Sequence, residues 1–496
     1  MLERINLKSS SVKNENKLEI KKLREKFTVL QQTIKENKVP VIILLEGWGA
    51  SGKGSMISEM ITDLDPRSFK VYTVDEADIA EARKPLLWRF WNKIPEYGRI
   101  SILDRSWYID ISTNKVEQKL SDKEFKDRID NINIFERQLT DDGYLIIKLF
   151  LHISQKEQKD RLEKLESNKN TAWRVSEHDK KRNKNYDEYY NAYDEMCECT
   201  NTQYAPWHII GCHDKSNAIC EMFKVLVESI SNAVSKKAIA QNQNEITVPL
   251  KHFTLLNMPM LNEINLNKSI TNEKYDEELK KLQKVLSKLQ NKLYRAKIPV
   301  IISFEGWDAA GKGGAIKRVA AALDPRGYEA IPVAAPDKYE LSHHYLWRFW
   351  RNIAKTGHTA IFDRSWYGRV MVERIEGFTP KERWEKAYQE INEFENQLTE
   401  WGAIVIKFWL QIDKKEQLER FNERQSNPEK QWKITEEDWR NREKWDDYEI
   451  AVNEMLQKTS TDFAPWYVIE AKDKKFARIK ILKLVIKAIK NCLNEE

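Results

Sequence analysis

Short apolar runs alternate with stretches of helical periodicity along this chain. Val300-Ile301-Ile302-Ser303-Phe304 has the length and composition of a buried strand. After a cluster of glycines, Ile316, Val319, Ala320 and Leu323 recur at i, i+3, i+4 and i+7, the spacing of one helix face. Ile57, Met60, Ile61 and Leu64 show the same pattern earlier in the chain. Ala360-Ile361-Phe362, Ile404-Val405-Ile406 and Tyr467-Val468-Ile469 are further strand candidates, separated by helix-like segments. Strands that alternate with helices predict an α/β fold, a mostly parallel sheet with helices on both faces.

The pattern occurs twice. Glu46-Gly47-Trp48 through Gly52-Lys53-Gly54 returns as Glu305-Gly306-Trp307 through Gly311-Lys312-Gly313, so Lys312 follows Lys53 by 259 positions. Leu87 to Trp91 recurs at Leu346 to Trp350, Asp104 to Tyr108 at Asp363 to Tyr367, and Ala205-Pro206-Trp207 at Ala464-Pro465-Trp466, all in the same register. A lead-in helix repeats as well, with Leu23 beside Lys21-Lys22 answered by Leu282 beside Lys280-Lys281. Two tandem domains are expected, residues 1–235 and 260–496. Between them a polar linker, 236–259, carries Gln241-Asn242-Gln243-Asn244 and Pro249.

Bulk properties narrow the functional classes. A chain of 496 residues exceeds what one core usually organises. The net charge of +6 is small for that length and does not favour nucleic-acid binding, while a local basic groove for a polyanion stays open. No apolar run approaches the ~20 residues that span a bilayer, and Met1-Leu2-Glu3-Arg4 is not followed by an apolar segment, so a cytoplasmic protein without a membrane partner is expected. The five cysteines, Cys197, Cys199, Cys212, Cys220 and Cys492, lack disulfide-scaffold spacing and read as free thiols. Leu456 and Lys458 answer Cys197 and Cys199 in the second copy, which argues against a metal there.

Chemistry concentrates in the second copy. Gly306-x-x-x-x-Gly311-Lys312 falls between a predicted strand and a predicted helix, where glycines let backbone N–H groups approach phosphate oxygens and the helix N-terminus adds partial positive charge. The Ser or Thr that usually follows the lysine and holds magnesium is replaced by Gly313, then Gly314. Phosphoryl transfer still needs a divalent ion, so carboxylates are expected to hold Mg2+, with Asp308 in the loop and Asp363 at a strand end as candidates. Asp363 alone reads equally as a strand-end cap. Arg364 is the candidate phosphate clamp, with an internal ion pair as the competing reading. Leu346 to Trp350 reads as aromatic core. From Arg420 onward, Arg424, Lys430, Lys433, Arg440, Arg442 and Lys444 are interleaved with Trp432 and Trp439. They form either a solvated helix face or a lid that closes on a polyanion.

Gly306 through Gly314, Asp363 through Arg369 and the Trp432 to Tyr448 lid together resemble the polyphosphate kinase 2 family, and the tandem layout resembles its two-domain branch. The resemblance covers nearly the whole chain. It implies two thymidylate-kinase-like α/β/α P-loop domains, each with a helical lid. It also implies inorganic polyphosphate and Mg2+ as donor and cofactor, and transfer of a terminal phosphoryl group to AMP, giving ADP. Asp308, Lys312, Asp363 and Arg364 match the family's loop aspartate, loop lysine and strand-end pair, and Arg369 and Glu373 match its downstream signature. In the first copy Gly49, Asp110 and Asn114 stand at the positions of Asp308, Arg369 and Glu373, while Gly52, Lys53, Asp104 and Arg105 remain. Phosphate binding without turnover is expected there, and Gly49→Ala is expected to change turnover little. An ATP-dependent nucleotide kinase and a catalytically silent polyanion-binding protein are the competing readings. Two fused copies imitate a dimer internally, which leaves a homo-oligomer open.

Overall fold

A computed structural model describes residues 1–7, 13–117, 119–239 and 250–495. The chain divides into two compact units. One comprises Met1–Ala77, Arg89–Val248 and Lys338–His344, the other Asp78–Trp88, Pro249–Asp337 and Tyr345–Glu496. Of the stretch expected to link the copies, residues 240–249, which include Gln241 to Asn244 and Pro249, lie outside the described residues. Residues 250–259 run along the second unit, where Leu255 bridges antiparallel to Thr461.

The first unit is built on Val41–Gly47 (β1), Phe69–Thr73 (β2), Ile100–Asp104 (β3), Leu145–His152 (β4) and Trp207–Gly211 (β5), all parallel in the order β2-β3-β1-β4-β5. The second repeats this with Val300–Gly306 (β6), Tyr328–Pro332 (β7), Thr359–Asp363 (β8), Ile404–Gln411 (β9) and Trp466–Glu470 (β10), in the order β10-β9-β6-β8-β7. The loop-bearing strand is central in both. A central parallel strand is covered on both faces, which is why Val300 through Phe304 form an unbroken buried run rather than an alternating one. The edge strands β2 and β7 gave no such signal, because they are half exposed and β7 ends in a proline.

Helices flank each sheet. In the second unit Asn272–Ala296 packs on Lys474–Cys492, which lies on β9 and β10, while Lys381–Glu400 packs on β9 and on Trp445–Thr459. Among the described residues no helix is long and apolar enough to cross a membrane. The cysteines there are all free, and no group of three or more His, Cys, Asp or Glu side chains could hold a metal. Trp347, Phe349 and Trp350 are buried, as a core stripe requires.

An ion pair with no solvent exposure joins β9 to the helix Lys381–Glu400. Lys407 on β9 donates to Glu395 at 2.7 Å, to the Tyr367 hydroxyl at 2.8 Å and to the Thr459 carbonyl at 2.6 Å, which uses all three ammonium protons. Glu395 also accepts from Trp366 Nε1 at 3.0 Å and from Tyr367 at 2.7 Å. The first unit repeats the arrangement with Lys148, Glu136, Trp107, Tyr108 and Thr200. Full satisfaction makes such a pair tolerable, and removal of one partner strands a buried charge. Lys407→Met is therefore expected to lower stability by about 3–5 kcal/mol. Denaturant unfolding of the purified variant checks this, and a loss below about 1 kcal/mol would show that the pair does not anchor the sheet.

Candidate functional site

The register brings the second unit's chemistry to one end of its sheet. Phe304 pairs with Asp363 and Gly306 with Leu410, so the loop and the strand-end pair leave the carboxyl ends of adjacent parallel strands, where ligands bind in open α/β sheets. Gly306 has φ +149°, and a Cβ there would meet the Leu410 carbonyl at 2.7 Å. No larger residue fits where β9 passes so close. The helix Lys312–Ala320 starts directly after Gly311, so its free N–H groups open onto the loop. Gly313 borders open space, and a Cβ on Gly314 would press on Arg478 Nη2 at 3.0 Å.

Four side chains converge here, Asp308, Lys312, Arg364 and Asn441. Arg364 holds a left-handed backbone (φ +65°), a conformation that costs a non-glycine residue about 1–3 kcal/mol. The guanidinium reaches the loop and donates to Asp308 Oδ1 at 3.2 Å. Asn441, on the lid helix Glu436–Glu443, donates to Asp308 Oδ2 at 3.0 Å. Burial works against the Asp308 carboxylate, but the charges of Lys312 and Arg364 outweigh it and hold its carboxyl below the usual range. Lys312 folds back on the loop, donating to the carbonyls of Gly306 at 2.6 Å and Trp307 at 3.2 Å. Among the described residues the half-buried Asp363 carboxylate carries no hydrogen bond or ion pair. It is close enough to act on both Arg364 and Glu305.

Several supports were not read from the sequence. Ser365 donates to the buried Glu305 at 2.8 Å and ties the end of β8 to β6. Burial pushes the Glu305 carboxyl up. The recurrence of the same pair as Ser106 and Glu46 was the available signal. Trp307 stacks on Trp445 at 3.6 Å between ring centroids, which joins the loop to the helix behind the lid. Asn441 had no signal, being a neutral residue among charged neighbours.

The cations expected on the lid separate into two kinds. Arg420 is not a lid-surface residue. It is buried, paired with Glu416, and donates to the carbonyls of Ala309, Ala310, Ala471 and Lys472 at 2.8–3.1 Å, so it braces the loop from behind. Arg442 is spent in part on the Lys414 carbonyl at 2.6 Å and on Gln417. Arg424 donates to the Lys433 carbonyl, Lys433 lies over the Trp432 ring, and Arg440 faces Glu376 at 3.4 Å. These last three remain at the lid surface. Arg369, expected to bind phosphate, is engaged by Glu373 at 2.7 Å and by Thr379, with no hydrogen bond to the loop. It ends the short 3-10 helix Trp366–Arg369, past the turn that carries Arg364, and its guanidinium is held by residues further along the chain rather than by the loop.

The first unit keeps the frame and changes the chemistry. Lys53 folds onto the carbonyls of Gly47 and Trp48 at 2.9 and 3.0 Å, and Arg105 shares the left-handed backbone at φ +62°. Gly49 replaces the loop aspartate, and the lid residue Asp179 has moved into the vacated space. A Cβ on Gly49 would meet Asp179 Oδ1 at 2.3 Å. An alanine at Gly49 would therefore press on a lid carboxylate that Ser176 also holds at 2.6 Å.

Comparison with known proteins gives a consistent picture. The family model described as polyphosphate kinase 2 matches residues 10–238 and again 269–496. A polyphosphate:AMP phosphotransferase from Pseudomonas aeruginosa is 42% identical over 469 residues, 94% of either chain. The protein of that name from Acinetobacter johnsonii is 34% identical over 486 residues, 97% of this chain and 98% of the relative. A crystal structure from Pseudomonas aeruginosa, described as a polyphosphate kinase 2, superposes with a TM-score of 0.87 at 37% identity and covers 100% of both chains.

Gly49→Ala is expected to cost about 1–3 kcal/mol by overpacking against Asp179. Thermal unfolding reads the effect. An unchanged melting temperature would mean that the Asp179 side chain swings aside freely.

Proposed function

The chain belongs to the polyphosphate kinase 2 family, and on that footing we propose that its C-terminal copy, residues 260–496, transfers the terminal phosphoryl group of inorganic polyphosphate to AMP. The observation that carries this reading is the convergence of Lys312, Arg364 and an ionised Asp308 on one glycine-lined loop. Two cations and free helix-terminal N–H groups suit the oxygens of a transferring phosphoryl group, and preorganised charge of this kind is the largest contribution to such reactions.

Transfer is direct and in line. An oxygen of the AMP phosphate forms the new P–O bond as the bond from the terminal phosphorus to its bridging oxygen breaks. The shortened polyphosphate leaves with the electron pair on that oxygen. With a second pKa near ~6, the AMP phosphate is largely ionised at neutral pH, so no strong base is required. Arg364 clamps phosphate oxygens through its fork of donors, and Lys312 exchanges its loop carbonyls for phosphate. Arg424, Lys433 and Arg440 line the approach of the polymer, and lid closure would exclude water.

The donor set fits Mg2+. This ion is usually bound by one or two carboxylates together with substrate phosphates rather than by an all-protein cage, and Asp308 and the unencumbered Asp363 supply hard oxygens of that kind. When bound, it neutralises charge on the transferring group. The first copy, residues 1–235, lacks the loop aspartate and takes no part in turnover. The catalytic machinery lies in one chain, and a cytoplasmic setting suits a pool of AMP and polyphosphate.

With polyphosphate, Mg2+ and AMP, chromatography of the product mixture is expected to show ADP, and ATP in place of polyphosphate is expected to support little transfer. Faster transfer from ATP would instead make the chain a nucleotide kinase. Asp308→Ala and Arg364→Gly are each expected to lower kcat by about 10²–10³. The glycine variant should melt no lower than the parent, because it relieves the strained φ. Near-normal turnover in either variant would defeat the assignment.

A further inference from the structure

The first copy's cradle is not a worn remnant of the second. Its loop and lid border an open cavity of about 990 Å³, lined from Gly49–Met56 through Asp104 and Arg105 to Trp173 and Arg174. That exceeds what one phosphate needs and falls at the upper end of the range for bound small molecules. Three substitutions in or beside it raise its positive character or add a donor, and Asp75 in place of Ala334 acts the other way. Gly49 in place of Asp308 removes the carboxylate that occupies Arg364 in the second copy. Among the described residues the Arg105 guanidinium is left without a hydrogen bond or ion pair. Arg182 in place of Asn441 adds a cation close enough to act on Lys53, and its Nε is buried without a partner. Ser51 in place of Ala310 adds a hydroxyl on the cavity wall, 3% exposed, whose Oγ has no hydrogen-bond partner.

A buried hydroxyl without a partner is costly, and it is tolerable where a ligand satisfies it. Burial depresses the Lys53 ammonium, Asp104 opposes this, and Arg105 adds to it. An incoming anion relieves that strain. The cavity also carries Lys164, Arg174 and Lys215 away from the loop, so its positive charge is spread along a path rather than gathered at one point. Asp179 offers no replacement for the lost loop aspartate. Its Oδ1 lies where a Cβ would be, and its Oδ2 accepts from both the Ser176 amide and hydroxyl. The loop carboxylate of the second copy is thus lost, and the carboxylates that remain on the cavity wall, Asp75, Asp104 and Asp179, are outnumbered by its lysines and arginines.

We propose that the first copy is a metal-independent binding site for a linear phosphoanhydride chain, held by Ser51, Lys53 and Arg105. It grips a phosphate chain with protein cations alone and does not cleave it. Such a chain comes from inorganic polyphosphate or from a nucleoside triphosphate, whose base would meet the exposed Trp173 ring on the rim.

Titration calorimetry on the full-length protein tests this. A Lys312→Met/Arg364→Met background strips both cations from the second copy's loop, and inorganic tripolyphosphate is titrated with EDTA present. One tripolyphosphate per chain is expected, weakened about 10- to 100-fold by Arg105→Ala and about tenfold by Ser51→Ala. Ser51→Ala breaks no hydrogen bond in the protein, so its loss of affinity cannot be ascribed to misfolding. No binding in EDTA, binding that appears only with Mg2+, or affinity unchanged by Ser51→Ala and Arg105→Ala would each overturn the proposal. ATP titrated in parallel separates the sources. Tripolyphosphate binding alone supports an inorganic chain, and equal binding of ATP supports a nucleotide. No turnover is measured, so failure here leaves the transfer reaction of the second copy untouched.

Discussion

The buried Lys407–Glu395 pair holds the second site in shape. Its hydrogen bonds seize Trp366 and Tyr367, the residues that follow the strand-end Asp363-Arg364-Ser365 turn. Ser365 is fixed from the other side by Glu305. With both flanks pinned, Arg364 keeps a left-handed backbone that an unconstrained arginine would leave, and its guanidinium is aimed at the loop before any substrate arrives. Orientation established in advance is what makes a fixed charge effective in transfer.

The same pair recurs under the first site as Lys148–Glu136, with the same aromatic partners and the same strained arginine. Scaffold and chemistry have therefore been maintained separately. Everything that aims the arginine is present twice, whereas the loop carboxylate it meets is present once. The two cradles share one frame, and a few side chains within them set their different charge.

The lid links to each loop differently. In the second unit a neutral amide, Asn441, rests on the Asp308 carboxylate, a contact a phosphate chain can displace. In the first, Asp179 is packed directly against Gly49, and Arg182, at the amide's position in the sequence, donates to Thr113 instead. A lid that touches its loop through an exchangeable hydrogen bond suits a cycle of opening and closing. A lid whose carboxylate fills the loop's own vacancy suits retention.

Read alone, the sequence determined the repeat, the α/β class, the central strand, the loop, its helix and the strand-end pair. These are carried by local spacing and by covered strands that must be apolar throughout, and the duplicated register reinforced each one. The edge strands β2 and β7 escaped, because their exposure erases the apolar signal that the other edge strand, β10, keeps in Tyr467-Val468-Ile469. Tertiary structure alone decided what each charge does. Arg420 and Arg424 are alike in a run of cations, yet one braces loop carbonyls about 110 positions away and the other stays at the surface. Asn441 meets Asp308 across 133 positions, and Asp179 closes the space over Gly49. Such contacts depend on how distant segments pack, and no pattern of neighbours along the chain encodes them.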